Sequence, residues 1–191
     1  PGGGLRYLHH AGGAVVATRY LSTCNCAYRR SAVLRAGGFF EQARFGGEDY
    51  LLAERVAALG KCVYAPGAVV YHRPRARLGA VLEWFVRRGM SEIALLRTTT
   101  ARGGLLGFLI RSSWTLRVAA LLAVLLAFPP LLFLLPALAL AYYAAILWRY
   151  RFALNYPSHR RAWWLVPMVK ITMDLGTELG RWKALCSRKP R

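Results

Sequence analysis

Acidic residues are scarce in this chain: eight aspartates and glutamates stand against 27 lysines and arginines, for a formal net charge of +19. Lysine is scarce too. Only Lys61, Lys170, Lys183 and Lys189 occur, so arginine carries almost all of the positive charge. That skew is as natural to a GC-rich genome as to phosphate recognition. The arginines flank apolar segments and do not form one basic, aromatic-bearing face, which argues against nucleic acid and for membrane lipid phosphate as a partner. Cysteines number four. Cys24 and Cys26 lie too close for a zinc knuckle and no second pair follows, so buried free thiols in a reducing compartment are expected. His9 and His10 have no carboxylate or thiol nearby in sequence and read as loop residues. No methionine or signal peptide opens the chain, so it is read as a piece of a longer protein.

Apolar residues, by contrast, make up 56% of the chain, and the mean hydropathy is +0.30, high for a soluble domain. Residues 118–148 contain no charge at all. As one helix they would run about 46 Å, too long for a single ordinary crossing of a ~30 Å hydrocarbon core. Pro129 and Pro130 fall inside this run and break it. A hairpin is therefore expected, with arms over 105–128 and 131–148. Arg111 would sit at the interface, and Arg117 would snorkel or face protein. Arg97, Arg102 and Arg111 precede the hairpin, and Arg149, Arg151, Arg160 and Arg161 follow it. The positive-inside rule then places both ends in the cytoplasm, giving a multi-pass protein of the cytoplasmic membrane.

The stretch from Asn25 to His72 holds half of the acidic residues: Glu41, Glu48, Asp49 and Glu54. Gly46 and Gly47 allow a sharp turn before Glu48 and Asp49. Leu52, Val56 and Leu59 recur at helical spacing, and Gly60 supplies a stop. Asp49 thus falls in the first turn of a helix, where the dipole favours a negative charge. Ser31 is an expected N-cap for a short helix that Gly37 ends. Residues 14–28, 61–65 and 68–71 read as strands.

Four ordered pieces of this stretch resemble family 2 glycosyltransferases: N-x-A-x-R-R (Asn25, Ala27, Arg29, Arg30), G-G-F-x-E (Gly37, Gly38, Phe39, Glu41), G-E-D-Y-x-L (Gly47 to Leu52), and Y-x-P-x-A-x-V-x-H ending at His72. The resemblance implies an α/β fold: a partial GT-A domain, its acceptor-side half, over residues 1–78. An amphipathic interfacial helix and linker (79–104), the transmembrane hairpin (105–148) and a basic amphipathic C-terminal segment (149–191) would follow. It further implies an inverting transfer of a sugar from a nucleotide-sugar donor to a lipid-linked or envelope polysaccharide acceptor. Asp49 would be the general base, with Glu48 beside it, Gly47 and Asn25 in substrate binding, and His72 at a divalent metal, Mg or Mn. Two departures stand out. Phe40 replaces the usual aspartate of G-G-F-D-E, and no D-x-D occurs, since Asp49 and Asp174 are the only aspartates. Most metal ligands are therefore expected upstream of Pro1.

Two other readings stay open: a membrane-anchored scaffold without activity, and a small membrane assembly or transport protein. Residues 80–97 read as an amphipathic helix bent near Gly89, with Trp84, Arg87 and Arg88 at the headgroups. Residues 163–185 read as a second interfacial helix, with Lys170, Asp174 and Glu178 on one face at i, i+4. Arg181–Trp182 matches only the end of the Q-x-x-R-W signature of processive family 2 synthases, with Glu178 where glutamine belongs, and is set aside as chance.

Overall fold

The computed structural model describes residues 13–19, 21, 23–40, 47–71, 73, 75–98, 104–155 and 157–187. Two compact units result, Pro1–Pro74 and Arg75–Arg191. The expected α/β architecture is not what forms. The described chain is mainly helical, and its sheet is a single antiparallel ladder between β1 (Val16–Ala17) and β2 (Val63–Tyr64), with Val16 opposite Tyr64 and Ala17 opposite Val63. Alternating β-branched runs become strands only when neighbours take up their edges and something covers their faces. Here Val63, Val69, Val70 and Tyr71 are all exposed, so the rest of those runs stays irregular. A GT-A domain is not present among the described residues.

In the first unit, α1 (Arg30–Arg35) begins without a side-chain cap: Arg29, not Ser31, is its N-cap residue. It ends as the sequence suggests. Gly37 and Gly38 take φ of 81° and 71°, a conformation that costs glycine little, and their N–H groups bond back to Leu34 and Val33 carbonyls. The next helix, α2 (Glu48–Leu59), buries Leu51, Leu52, Ala53 and Val56, while Leu59 stays exposed. Its Arg55 reaches back to α1, donating to the Ala36 carbonyl at 3.4 Å and lying over the Phe40 ring. β2 follows directly, and its start is tied to β1 by Thr18 N–H donating to the Cys62 carbonyl at 3.0 Å. None of the four cysteines is in a disulfide and none is buried, which corrects the expectation of core thiols.

The second unit is built on two long helices, α3 (Leu78–Thr98) and, last in the chain, α8 (Val166–Cys186). α3 runs unbroken through Gly89, where the two backbones touch: a Cβ there would lie 2.0 Å from the Thr177 carbonyl oxygen. Across the contact, a Cβ on Gly176 would meet the Leu82 oxygen at 2.7 Å, and one on Gly180 the Val86 oxygen at 2.0 Å. Only hydrogen fits at these three positions, so the G-x-x-x-G of α8 sets the interhelical distance, as small residues do where helices approach closely. Residues 166–186 therefore lie along α3 with that face covered by protein.

Between them run α4 (Gly104–Ser112), α5 (Trp114–Ala127), a 3₁₀ turn at Pro129–Leu134, α6 (Leu135–Arg149), a second 3₁₀ turn at Arg151–Asn155 and the short α7 (Pro157–Arg160). The first arm is thus not one straight helix. α4 and α5 meet at 64° across Ser113, whose hydroxyl accepts the Leu116 N–H and caps α5. Arg117 turns back and donates to the Arg111 carbonyl, which settles the charge inside the arm locally. The segment Pro129–Arg149 has a mean hydropathy of 2.1 and is 6% buried. By length and composition one helix can cross a membrane, and two can if the bent α4–α5 pair counts as one span.

Candidate functional site

The residues singled out in the first unit gather at the N-terminus of α2. Gly47 is its N-cap with φ 96° and ψ −3°, a left-handed conformation that strains any residue with a Cβ, and its carbonyl accepts the Leu51 N–H at 3.1 Å to close the first turn. Glu48 and Asp49 follow as the first two helical residues, half-buried. Asp49 Oδ1 accepts the Tyr50 N–H at 2.8 Å, one of the helix-start donors that lack an intrahelical acceptor. The Tyr50 hydroxyl donates to Glu54 Oε1 one turn on, at 3.0 Å.

Pieces remote in sequence come to the same place. Asn25 Nδ2 donates to the Ala68 carbonyl at 2.7 Å, joining the N-x-A-x-R-R loop to the turn after β2 across 43 residues. Tyr28, from the same loop, has its hydroxyl pushed up to about 12, first by burial, then by Cys26 and by the negative charge of Asp49 and Cys62. Two side-chain atoms here are buried without a hydrogen-bond partner among the described residues: the Tyr28 hydroxyl and Glu48 Oε2. An acceptor left unpaired at a helix start is a feature that a polar ligand satisfies.

Of the residues expected at the site, Gly47, Glu48 and Asp49 adjoin at the start of α2, while Asn25 bonds to Ala68; the sequence analysis did not single out Tyr28. His72 lies outside the described residues, as does Glu41. Among the described residues no three His, Cys, Asp or Glu side chains converge, and the expected metal ligands, His72 and those upstream, lie outside them. A cavity of about 350 Å³ opens at the other end of α2, lined by Thr18, Arg19, Ala57, Gly60, Lys61 and Cys62, and contains none of the site residues.

The second unit holds a buried polar cluster built on the helix that the sequence reading took for an interfacial one. Lys170 and Asp174 do pair as spaced, but Glu178 turns inward and is 4% exposed. It accepts from the Ser113 hydroxyl at 2.7 Å, the Trp114 N–H at 3.0 Å and the Thr115 hydroxyl at 2.9 Å, serving as a cap for α5 supplied by another helix. Arg181 joins it at 2.6 Å, bridges to Glu92 of α3 at 2.7 Å and donates to the Ser112 carbonyl at 3.2 Å. Burial pushes the Glu178 carboxyl up, but the bonds from Ser113, Trp114 and Thr115 and the Arg181 charge outweigh it and hold it below its ordinary value. Trp182 Nε1 reaches the Thr115 hydroxyl at 3.4 Å. All three residues of the E-x-x-R-W run therefore meet at the α4–α5 bend. Comparison with family models, with curated proteins and with solved structures returns no match to this chain.

Proposed function

We propose that this chain serves inverting sugar transfer at the cytoplasmic face of a membrane, with a nucleotide-sugar as donor, a lipid-linked or envelope polysaccharide hydroxyl as acceptor, and Asp49 as general base. The observation that supports the reading is the left-handed turn at Gly47, which sets Glu48 and Asp49 side by side in the first turn of α2, with the Asn25 bond to the Ala68 carbonyl tying the first motif piece to the last. As the acceptor oxygen bonds to the anomeric carbon, its proton passes to the Asp49 carboxylate, and the nucleotide diphosphate leaves with the electrons of the broken C–O bond. The Tyr28 hydroxyl and Glu48 Oε2 are suited to orient a polyhydroxylated acceptor. No step is routed through a metal. Two crossings by the α4–α5 pair and by Pro129–Arg149, with both ends cytoplasmic, fit the arginine distribution.

A second reading, a membrane-anchored scaffold without activity, is favoured by the mainly helical architecture. One assay separates the two. Membranes from cells expressing the gene are incubated with labelled nucleotide sugars and Mg²⁺ or Mn²⁺, with Asp49→Asn alongside. Label transfer that disappears in the variant supports the base; transfer that survives places the base elsewhere; no transfer from any donor supports the scaffold.

A further inference from the structure

The end of the apolar segment Pro129–Arg149 is the most one-signed part of the described surface. Residues 93–173 contain no aspartate or glutamate, and Arg149, Arg151, Arg160 and Arg161, all exposed, cluster in sequence where the segment stops. Nearby acids are already engaged: Asp174 with Lys170, and Glu92 and Glu178 with Arg181. The arginines are also held in place. Phe152 and Ala153 are buried and pin the 3₁₀ turn Arg151–Asn155, which packs on both the end of α6 and α7. The Arg151 guanidinium lies 3.8 Å from the ring centroid of Trp148, itself 70% exposed, and Arg160 Nε donates to the Leu154 carbonyl at 3.2 Å, leaving its two Nη groups unpartnered among the described residues.

We propose that this turn binds the headgroup phosphate of an anionic phospholipid. Trp148 would mark the depth of the glycerol region, where indole rings concentrate. Arg149, Arg151 and Arg160 would donate to the phosphate as planar forks, a geometry that arginine matches and lysine does not. The helix carbonyls at the end of α6 add negative charge behind the arginines and help to hold them there. The inference rests on Pro129–Arg149 lying in a membrane and not on sugar transfer, so loss of the transfer reading leaves it standing.

The test uses the full chain in nanodiscs of equal parts phosphatidylcholine and phosphatidylglycerol, released into a native mass spectrometer that counts retained lipids. Phosphatidylglycerol should be retained over phosphatidylcholine by on the order of tenfold. The Arg149→Gln/Arg151→Gln/Arg160→Gln variant should lose most of that preference. A triple Arg→Lys variant keeps the charge and should retain part of the preference, while circular dichroism verifies that each variant remains helical. Equal retention of the two lipids by the unsubstituted chain, or an unchanged preference in the folded triple Gln variant, overturns the proposal. In a parallel arm, inorganic phosphate is added to nanodiscs of phosphatidylcholine alone. A saturable change in tryptophan fluorescence there would identify a free-phosphate site and overturn the assignment to lipid.

Discussion

Replacing Gly180 by alanine tests whether backbone contact sets the α3–α8 distance. The new Cβ would sit 2.0 Å from the Val86 oxygen and 3.0 Å from Gly89 Cα, both backbone atoms that cannot swing aside. Ordinary contact near 3.4 Å requires the helices to part locally by roughly 1.4 Å. Overpacking of this kind costs about 1–3 kcal/mol. Parting would also lengthen the 2.7 Å bridge from Arg181, the next residue, to Glu92. Alanine's better helix propensity returns ~0.5–1 kcal/mol, too little to change the sign. For a chain of this size the melting temperature should fall by roughly 2–10 °C. Gly79, in the first turn of α3, is the internal control: a Cβ there meets nothing within 4 Å, so Gly79→Ala should leave stability unchanged or raise it by up to ~1 kcal/mol. Both variants are melted in the same detergent, followed by circular dichroism at the helix band. A Gly180→Ala protein that melts at or above the unsubstituted chain would refute the close-contact reasoning.

Glu178→Leu removes the partner of Arg181 and the outside cap of α5, and should destabilise by about 3–5 kcal/mol, the cost of stranding a buried charge, in denaturant melts. Because the folded Glu178 carboxyl is held below its ordinary value, its contribution is fully present above the unfolded value and fades as pH falls through the folded one. Acid melts below about pH 4.5 should therefore lose less stability in Glu178→Leu than in the unsubstituted chain. Tyr28 has the opposite sign: its raised value makes a contribution present below pH 10.0 and lost as pH rises through about 12. The difference spectrum between the unsubstituted chain and Tyr28→Phe at the phenolate band should accordingly titrate near 12; a midpoint at 10.0 would mean that the hydroxyl is solvated. Asp49→Asn, if Asp49 is the base, should reduce label transfer by at least ~100-fold while leaving the melt nearly unchanged.

What the sequence made legible was local. The start of α2 at Glu48, the glycine turn at Gly37 and Gly38, the break at Pro129 and the Lys170–Asp174 pair all follow from neighbours within a few residues. The misreadings share one cause: they depended on what lies across from a residue. Gly89 read as a break or bend, yet α3 runs unbroken through it, and the backbone it touches, at Thr177, is far away in sequence. Glu178 read as sharing a face with Lys170 and Asp174, and its i, i+4 spacing gave no hint of Ser113 and Thr115. The run at 61–65 yields β2, while 68–71 has the composition of a strand and forms none, since strands need edges to pair with and composition does not report those. Of the candidate site, the carboxylates and Asn25 were visible as a motif.

The cap that Glu178 places on α5 also orders events in time. A ribosome delivers α4, α5 and α6 long before α8, yet the residue that fixes the angle between α4 and α5 is on α8. Until α8 emerges, the Trp114 N–H and the Ser113 and Thr115 hydroxyls lack their carboxylate, and the first apolar arm holds its 64° bend only through the Ser113 cap and the Arg117 bond to the Arg111 carbonyl. The arm therefore enters its surroundings as a hinge and becomes a fixed corner only when the last helix docks on α3, so its final direction records that the C-terminal helix has arrived.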